Sequence, residues 1–322
     1  MRVSSWMSLC LAGAILAACG DGGSGPDQSE QVGPIGPIPS DLGGKVAFAT
    51  SRQVTVSGKS HTESRIHLID MADLSDRIIY AVRDCYITGL TWAPDGEHLV
   101  MGSYNLVWDT GGVVPDTHKL HRLSLSGGDV IIFDRPGPES SPAYSANGRL
   151  AYFARWSDDP ASGIHIDGAP IYPLPLGGDL AWAPDGHALF IAQGVFSKPL
   201  VRLDLTVPGG AITPIIVPEG SEIIREPAVS PDGERIAFVR YGGNRDGQEI
   251  WLAAATGTDP RALVTGSADG SPAWTAGGTY VAFSRFGRGS VPGIYIVPPG
   301  GGMPQRIVGI TPDGAGSMAW TR

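Results

Sequence analysis

Seven histidines, three cysteines and 32 acidic residues are the side chains through which this 322-residue chain could do chemistry. Their spacing argues against most of it. His61, His67, His98, His118, His121, His165 and His187 lack the short paired intervals of a zinc site. His118 and His121 stand three apart, but at the start of an extended segment, where they would not converge as on a helix. No Gly-x-Ser-x-Gly turn presents a serine nucleophile. Asp95, Asp185 and Asp232 each sit in a Pro-Asp-Gly turn, so the repeated aspartate reads as a turn former rather than a catalyst. Asp158-Asp159 and Asn244-Arg245-Asp246-Gly247 match no defined calcium loop. The expectation is no enzyme, no cofactor and no metal.

A different pattern points to binding. Arginine and an aromatic recur as Arg155-Trp156, Arg240-Tyr241 and Arg285-Phe286, with Tyr104 at the aromatic place of an earlier unit. These residue types concentrate at binding hot spots. Glu139, Asp179, Arg225, Glu226 and Asp269 precede the apolar runs of their units, and together with the arginine–aromatic pairs they form the candidate binding face. The competing role is structural: the arginines pair with acids and the aromatics cap packing, and repetition in register favours that role.

The elements that must position these residues come from an internal repeat. GLTWAPDGEHLVMGS (89–103) returns as SPAYSANGRLAYFAR (141–155), DLAWAPDGHALFIAQ (179–193), EPAVSPDGERIAFVRY (226–241) and SPAWTAGGTYVAFSRF (271–286). Trp92, Tyr144, Trp182, Val229, Trp274 and Trp320 mark the frame, at intervals of 52, 38, 47, 45 and 46 residues. A period near 45 is that of a four-stranded propeller blade. Each unit predicts a strand ending at the frame residue, a tight turn closed by glycine, then a strand rich in β-branched and aromatic residues. No helical period of useful length appears. The last unit, Ser317 to Arg322, supplies only a first strand, and Lys45 to Ala49 reads as a second strand with nothing before it. Joining them completes a sixth blade and removes the open edge. The predicted fold is all-β: a six-bladed β-propeller over 45–322, its last blade closed by the N- and C-terminal strands.

The phrases WAPDGEHLV (92–100), WAPDGHALF (182–190) and VSPDGERIAF (229–238) resemble the WD-repeat-like unit of TolB-type propellers. The resemblance spans nearly all of 45–322. It implies a scaffold in envelope complexes that binds a protein or peptide. Some propellers of this repeat type are lyases, so the alternative is a polysaccharide enzyme with its site at the central channel. The resemblance covers the propeller only, since the family's namesake carries an α/β domain before it and the matching stretch here is short and rich in glycine and proline.

The N-terminal stretch has its own signals. Arg2 followed by the apolar run Trp6 to Ala18 has the layout of a secretory signal over 1–18. Leu16-Ala17-Ala18-Cys19 resembles a bacterial lipobox, which implies lipidation of Cys19 and attachment to a bilayer. Residues 19–44 read as a Gly/Pro-rich flexible tether of about 25–30 Å span. Gly20 after the lipid site predicts an exported, membrane-anchored protein of the outer membrane, facing the periplasm or cell surface. Cys85 is then the one spare thiol, expected buried and without a disulfide. The net charge is −9 and no Lys/Arg cluster tracks a face, which argues against nucleic acid as a partner. The chain is expected to be a monomer.

Overall fold

A computed structural model describes residues 33–34, 37–106, 118–126, 128–133, 139–155, 162–173, 178–194, 197–243, 247–266, 269–286, 290–310 and 315–321. Among the described residues there is no helix; six antiparallel sheets form a six-bladed β-propeller. We number the blades in chain order. Blade 1 joins the chain ends: Ala315–Trp320 is its inner strand, followed outward by Lys45–Val56, Lys59–Asp70 and Asp76–Arg83. The inner strands of blades 2 to 6 are Cys85–Trp92, Glu139–Tyr144, Asp179–Trp182, Glu222–Val229 and Asp269–Trp274. The predicted ring closure is present: Val46 pairs with Trp320, and the Thr321 and Lys45 backbones bond to one another at the seam.

Apolar patterning follows each strand's place in its blade. The second strands Leu150–Ala154 and Ala188–Ala192 are buried along their whole length, because blades cover them on both faces. The outermost strands face water on one side, and Asp76–Arg83 is exposed or half-buried throughout. Each also carries a register shift against its third strand, which twists an exposed edge away from foreign pairing. Trp182, Tyr152, Phe48, Phe238 and Phe283 are among the largest fully buried side chains. Burial of each contributes about 1.5–3 kcal/mol.

Adjacent blades are tied by the frame residues. The indole N–H of Trp182 donates to the Ala143 carbonyl (2.9 Å), that of Trp274 to Ala228 (3.0 Å) and that of Trp92 to Ala319 (3.2 Å). In each case the acceptor is the residue just before the preceding blade's own frame residue, and its small side chain lets the indole approach. The Pro-Asp-Gly turns add a second tie. Asp95, Asp185 and Asp232 each accept a backbone N–H from within their own turn, as expected of turn formers. Gly233 adopts φ +76°, and a Cβ there would stand 3.4 Å from the Pro184 ring of the preceding blade.

Two expectations need correction. The tether does not run free to residue 44. Gly33–Pro34 pairs with the outer strand Gln305–Gly309 of blade 6, and Gln305 donates to the Pro37 carbonyl. Leu42 is buried in the core between blades 6 and 1, and Trp320 donates its indole N–H to Gly43 (2.9 Å). Burial of Leu42, about 1.5–3 kcal/mol, acts with these hydrogen bonds against the entropy lost in ordering the segment.

The second correction concerns register. Frame pairs Tyr144–Leu150, Val229–Ile236 and Trp274–Val281 place Ala154, not Arg155, level with Arg240 and Arg285. Arg155 stands instead at the level of Tyr104, Tyr241 and Phe286. The turn of blade 3 is one residue shorter than the others, which shifts its second strand by one and reverses the side-chain face. Residues 1–18, Cys19, Trp156, Asp158-Asp159 and Asn244 to Asp246 lie outside the described residues.

Candidate functional site

The six inner strands line a central channel, and three positions along each strand build it. Two residues before each frame residue stand Leu90, Pro142, Leu180, Pro227, Pro272 and Met318. They border the cavities at both ends and form an apolar waist between them. One residue further up stand Gly89, Ser141, Asp179, Glu226, Ser271 and Ser317, a polar collar. Below the waist the channel opens between the frame residues themselves into a cavity of about 310 Å³.

Interblade hydrogen bonds tie several sectors of the collar together. Ser317 Oγ accepts the Gly89 N–H (2.6 Å), Asp179 Oδ2 the Glu226 N–H (3.0 Å), and Glu226 Oε2 the Ser271 N–H (2.6 Å). The backbone is bulged to allow this. Gly89, Ser141, Glu226 and Ser271 all have φ between +50° and +64°, and the register to the second strand shifts beside each. A positive φ is unfavourable for Ser and Glu, and such backbone strain persists where the surrounding structure over-determines it.

Above the collar lies a cavity of about 610 Å³, within the size range of ligand sites. Its walls differ in chemistry. Blade 2 contributes an aromatic wall of Tyr86 and His118 with Tyr104 behind them: Tyr86 stacks on Tyr104 with ring centres 5.6 Å apart, and Tyr104 meets His118 at a tilt, 4.9 Å apart. Burial raises the pKa of the Tyr104 hydroxyl, so it stays a neutral donor. Blades 4 and 5 contribute Asp179, Arg225 and Glu226. Arg225 Nε lies 3.3 Å from Asp179 Oδ2, with 44% of its side chain exposed to the mouth. Glu226 faces the cavity but is set deep in the channel wall. Desolvation there, and then the neighbouring Asp179 charge, raise its pKa above the ordinary carboxylate value. Phe286, 41% exposed, overhangs the same mouth from blade 6.

Of the residues singled out in the sequence, Asp179, Arg225, Glu226 and Phe286 therefore meet around one cavity. The others divide differently. Arg240 is buried, bonding Glu222 through Nε (2.8 Å) and lying over the Trp251 ring at 4.5 Å. Arg285 makes a two-pronged pair with fully buried Asp269 (2.7 and 2.9 Å) and lies over Tyr295. These ion pairs join first and second strands within one blade. Arg240, Arg285, Asp269 and Glu139 are thus withdrawn from the exposed face, Glu139 being fully buried. Arg155 is exposed, and Tyr104 and Tyr241 are half-buried.

One constellation is invisible in the sequence spacing. Ser103 Oγ lies 2.9 Å from His121 Nε2, and His121 Nδ1 lies 3.0 Å from Asp129, which also accepts from Tyr80 of blade 1 at 3.3 Å. The three residues come from successive strands of blade 2, at intervals of 18 and 8 residues. The order is that of a serine-hydrolase triad, but Ser103 and His121 are 3% and 4% exposed, so no substrate reaches the hydroxyl. It is a buried structural relay. Among the described residues no group of three His, Cys, Asp or Glu could hold a metal ion. Cys85 is buried and forms no disulfide among the described residues.

No protein-family model matches the chain, and neither does any curated protein. Solved structures do. TolB from Acinetobacter baumannii aligns over 88% of this chain and 68% of its own, with a TM-score of 0.69 and 18% identity. A protein designated TolB from Agrobacterium tumefaciens aligns over 87% and 99% (TM-score 0.57, 16% identity). The nidogen/laminin complex supplies another, over 87% and 99% (TM-score 0.65, 9% identity). At these identities the likeness is one of fold: the chain folds as a TolB-like six-bladed propeller.

Proposed function

We propose that this protein is a non-catalytic cell-envelope lipoprotein, anchored through Cys19, whose channel mouth binds a protein or peptide partner. The observation that carries the binding role is the asymmetric mouth: a ligand-sized cavity with an aromatic wall on blade 2 facing charged groups on blades 4 and 5. Repetition alone would make the six sectors alike, and in this collar they differ. Likeness to TolB-type propellers supports an interaction role by analogy of fold.

A second function is favoured by one observation. Asp179 and Glu226 are adjacent carboxyl groups in a concave site, and a raised pKa on one of two carboxyls is the arrangement of general acid catalysis, as in polysaccharide cleavage. Against it, each carboxyl also accepts the backbone N–H of the next blade, at a position where Ser317 does the same in blade 1. Those bonds account for both side chains without chemistry.

The test is capture of partners from native envelopes with the wild-type protein and with Arg225→Ala/Glu226→Ala, folding being checked by circular dichroism. The variant is expected to lose the partner. A folded variant that keeps every partner overturns the mouth as the binding site, and polysaccharide cleavage abolished by Glu226→Gln would establish the enzyme instead. Anchoring is tested separately: Cys19→Ala is expected to leave the membrane fraction and to take up no labelled fatty acid.

A further inference from the structure

Within the mouth, the two carboxyl groups differ in how they are compensated. Asp179 has Arg225 beside it and the Glu226 N–H bonded to it. Glu226 has only the Ser271 N–H on one oxygen, and no ion pair to it occurs among the described residues. It is a deep acid facing a 610 Å³ cavity, and the one cation acting on it, Arg225, attracts it while ion-paired to Asp179. The other titratable groups about it are Arg225, committed to Asp179, Tyr241 beside Arg225, and His118 and Tyr86 across the mouth.

The aromatic wall stands opposite Glu226, since blades 2 and 5 face each other across a six-bladed ring, and its ring faces suit the chain that carries the cation rather than the cation itself. The floor between is the apolar waist, which suits the methylene stem of a long side chain. We propose that the channel mouth receives a basic side chain of the partner, a lysine or arginine, whose charged head lies against Glu226 while its stem crosses the apolar waist and the chain that delivers it packs on Tyr86 and His118.

This deepens the binding function proposed above and rests on it. Such a ligand supplies a counter-charge in direct contact and favours the ionised carboxylate. Binding therefore releases a proton over the pH range in which free Glu226 is still protonated, and affinity rises with pH across that range.

The experiment uses the purified full chain and four otherwise identical capped twelve-residue peptides whose central residue is lysine, arginine, norleucine or glutamate, titrated calorimetrically at several pH values. Lysine and arginine peptides are expected to bind about tenfold more tightly than norleucine, and glutamate more weakly still. In Glu226→Gln, which keeps an acceptor for the Ser271 N–H, the preference over norleucine should fall to about one and the pH dependence should vanish. Equal binding of lysine and norleucine, no binding of any of the four, or a preference unchanged in Glu226→Gln overturns the proposal. Failure of the wider function looks different: envelope partners would then remain bound to Arg225→Ala/Glu226→Ala, whereas partner loss together with equal peptide binding removes only the basic side chain.

Discussion

The two ends of the central channel are built from the same six strands and have gone opposite ways. Below the waist the blades repeat: four tryptophans, a tyrosine and a valine hold the frame, with indole-to-carbonyl bonds and turn contacts recurring from blade to blade. Above it, two to three residues away on each strand, the collar reads Gly, Ser, Asp, Glu, Ser, Ser, and the walls diverge further. Repetition at one end satisfies a requirement for dry packing between blades, with the indole N–H bonded where tryptophan holds the frame. At the other end the shared requirement is met by a backbone bulge, which leaves the side chains free to differ. Stability belongs to the regular end, and the proposed binding to the irregular one.

That division can be broken or sharpened by substitution. The largest effect is expected at Trp182→Ala, which empties a fully buried site and leaves the Ala143 carbonyl unbonded; the loss should be about 3–5 kcal/mol in denaturant unfolding. Trp182→Phe should cost less and leave peptide binding at the mouth unchanged. Coupled loss of binding in a folded Trp182→Phe protein would show that the ends are not separable.

Next comes Asp269→Asn, which strands Arg285 in a largely buried position and should cost about 3 kcal/mol. It marks the part of the upper end that is structural after all. His121→Ala, cutting the Ser103–Asp129 relay, should cost about 1–3 kcal/mol with no effect on the binding preference.

The smallest effect is expected at Glu226→Gln, and its sign depends on pH. The folded-state pKa of Glu226 is raised, so its contribution to stability is complete below the unfolded value and is lost as pH rises through the folded one. Glutamine has no such loss. The variant should melt with the wild type below the ordinary glutamate pKa, and above it once pH passes the raised folded-state value. A melting difference independent of pH would remove the strained-acid description of the collar.

The repeat made the fold legible because its spacing reports a backbone requirement: a frame aromatic, a Pro-Asp-Gly turn and an apolar strand recur wherever a blade must pack on the next. Ring closure followed from the same frame at Val46 and Trp320. The site was legible only in part. Asp179, Arg225 and Glu226 could be placed near the mouth because they precede a frame residue, but Arg240 and Asp269 share that vicinity and turn inward. Which face a side chain takes depends on bulges one residue long, and these leave no compositional mark. The one-residue slip in blade 3 misplaced Arg155 for the same reason. Ser103, His121 and Asp129 meet through cross-strand register, which spacing along the chain does not reveal.

The path of the chain into the ring has a mechanical consequence. Gly33 lies level with the mouth on the outer edge of blade 6, Pro37 accepts from Gln305 on the same edge, and Leu42 and Gly43 pack against the core and Trp320 before Lys45. Tension on the N-terminus therefore does not act first on the seam between Lys45–Val56 and Ala315–Trp320. It loads the short Gly33–Pro34 pairing, then the Leu42 and Gly43 contacts with the core and Trp320. Without those contacts, a pull at Lys45 would unzip the closing strand one pair at a time, beginning at Val46 and Trp320. With them, the segment works as a strain relief, and the ring stays shut while the outer pairing yields and re-forms.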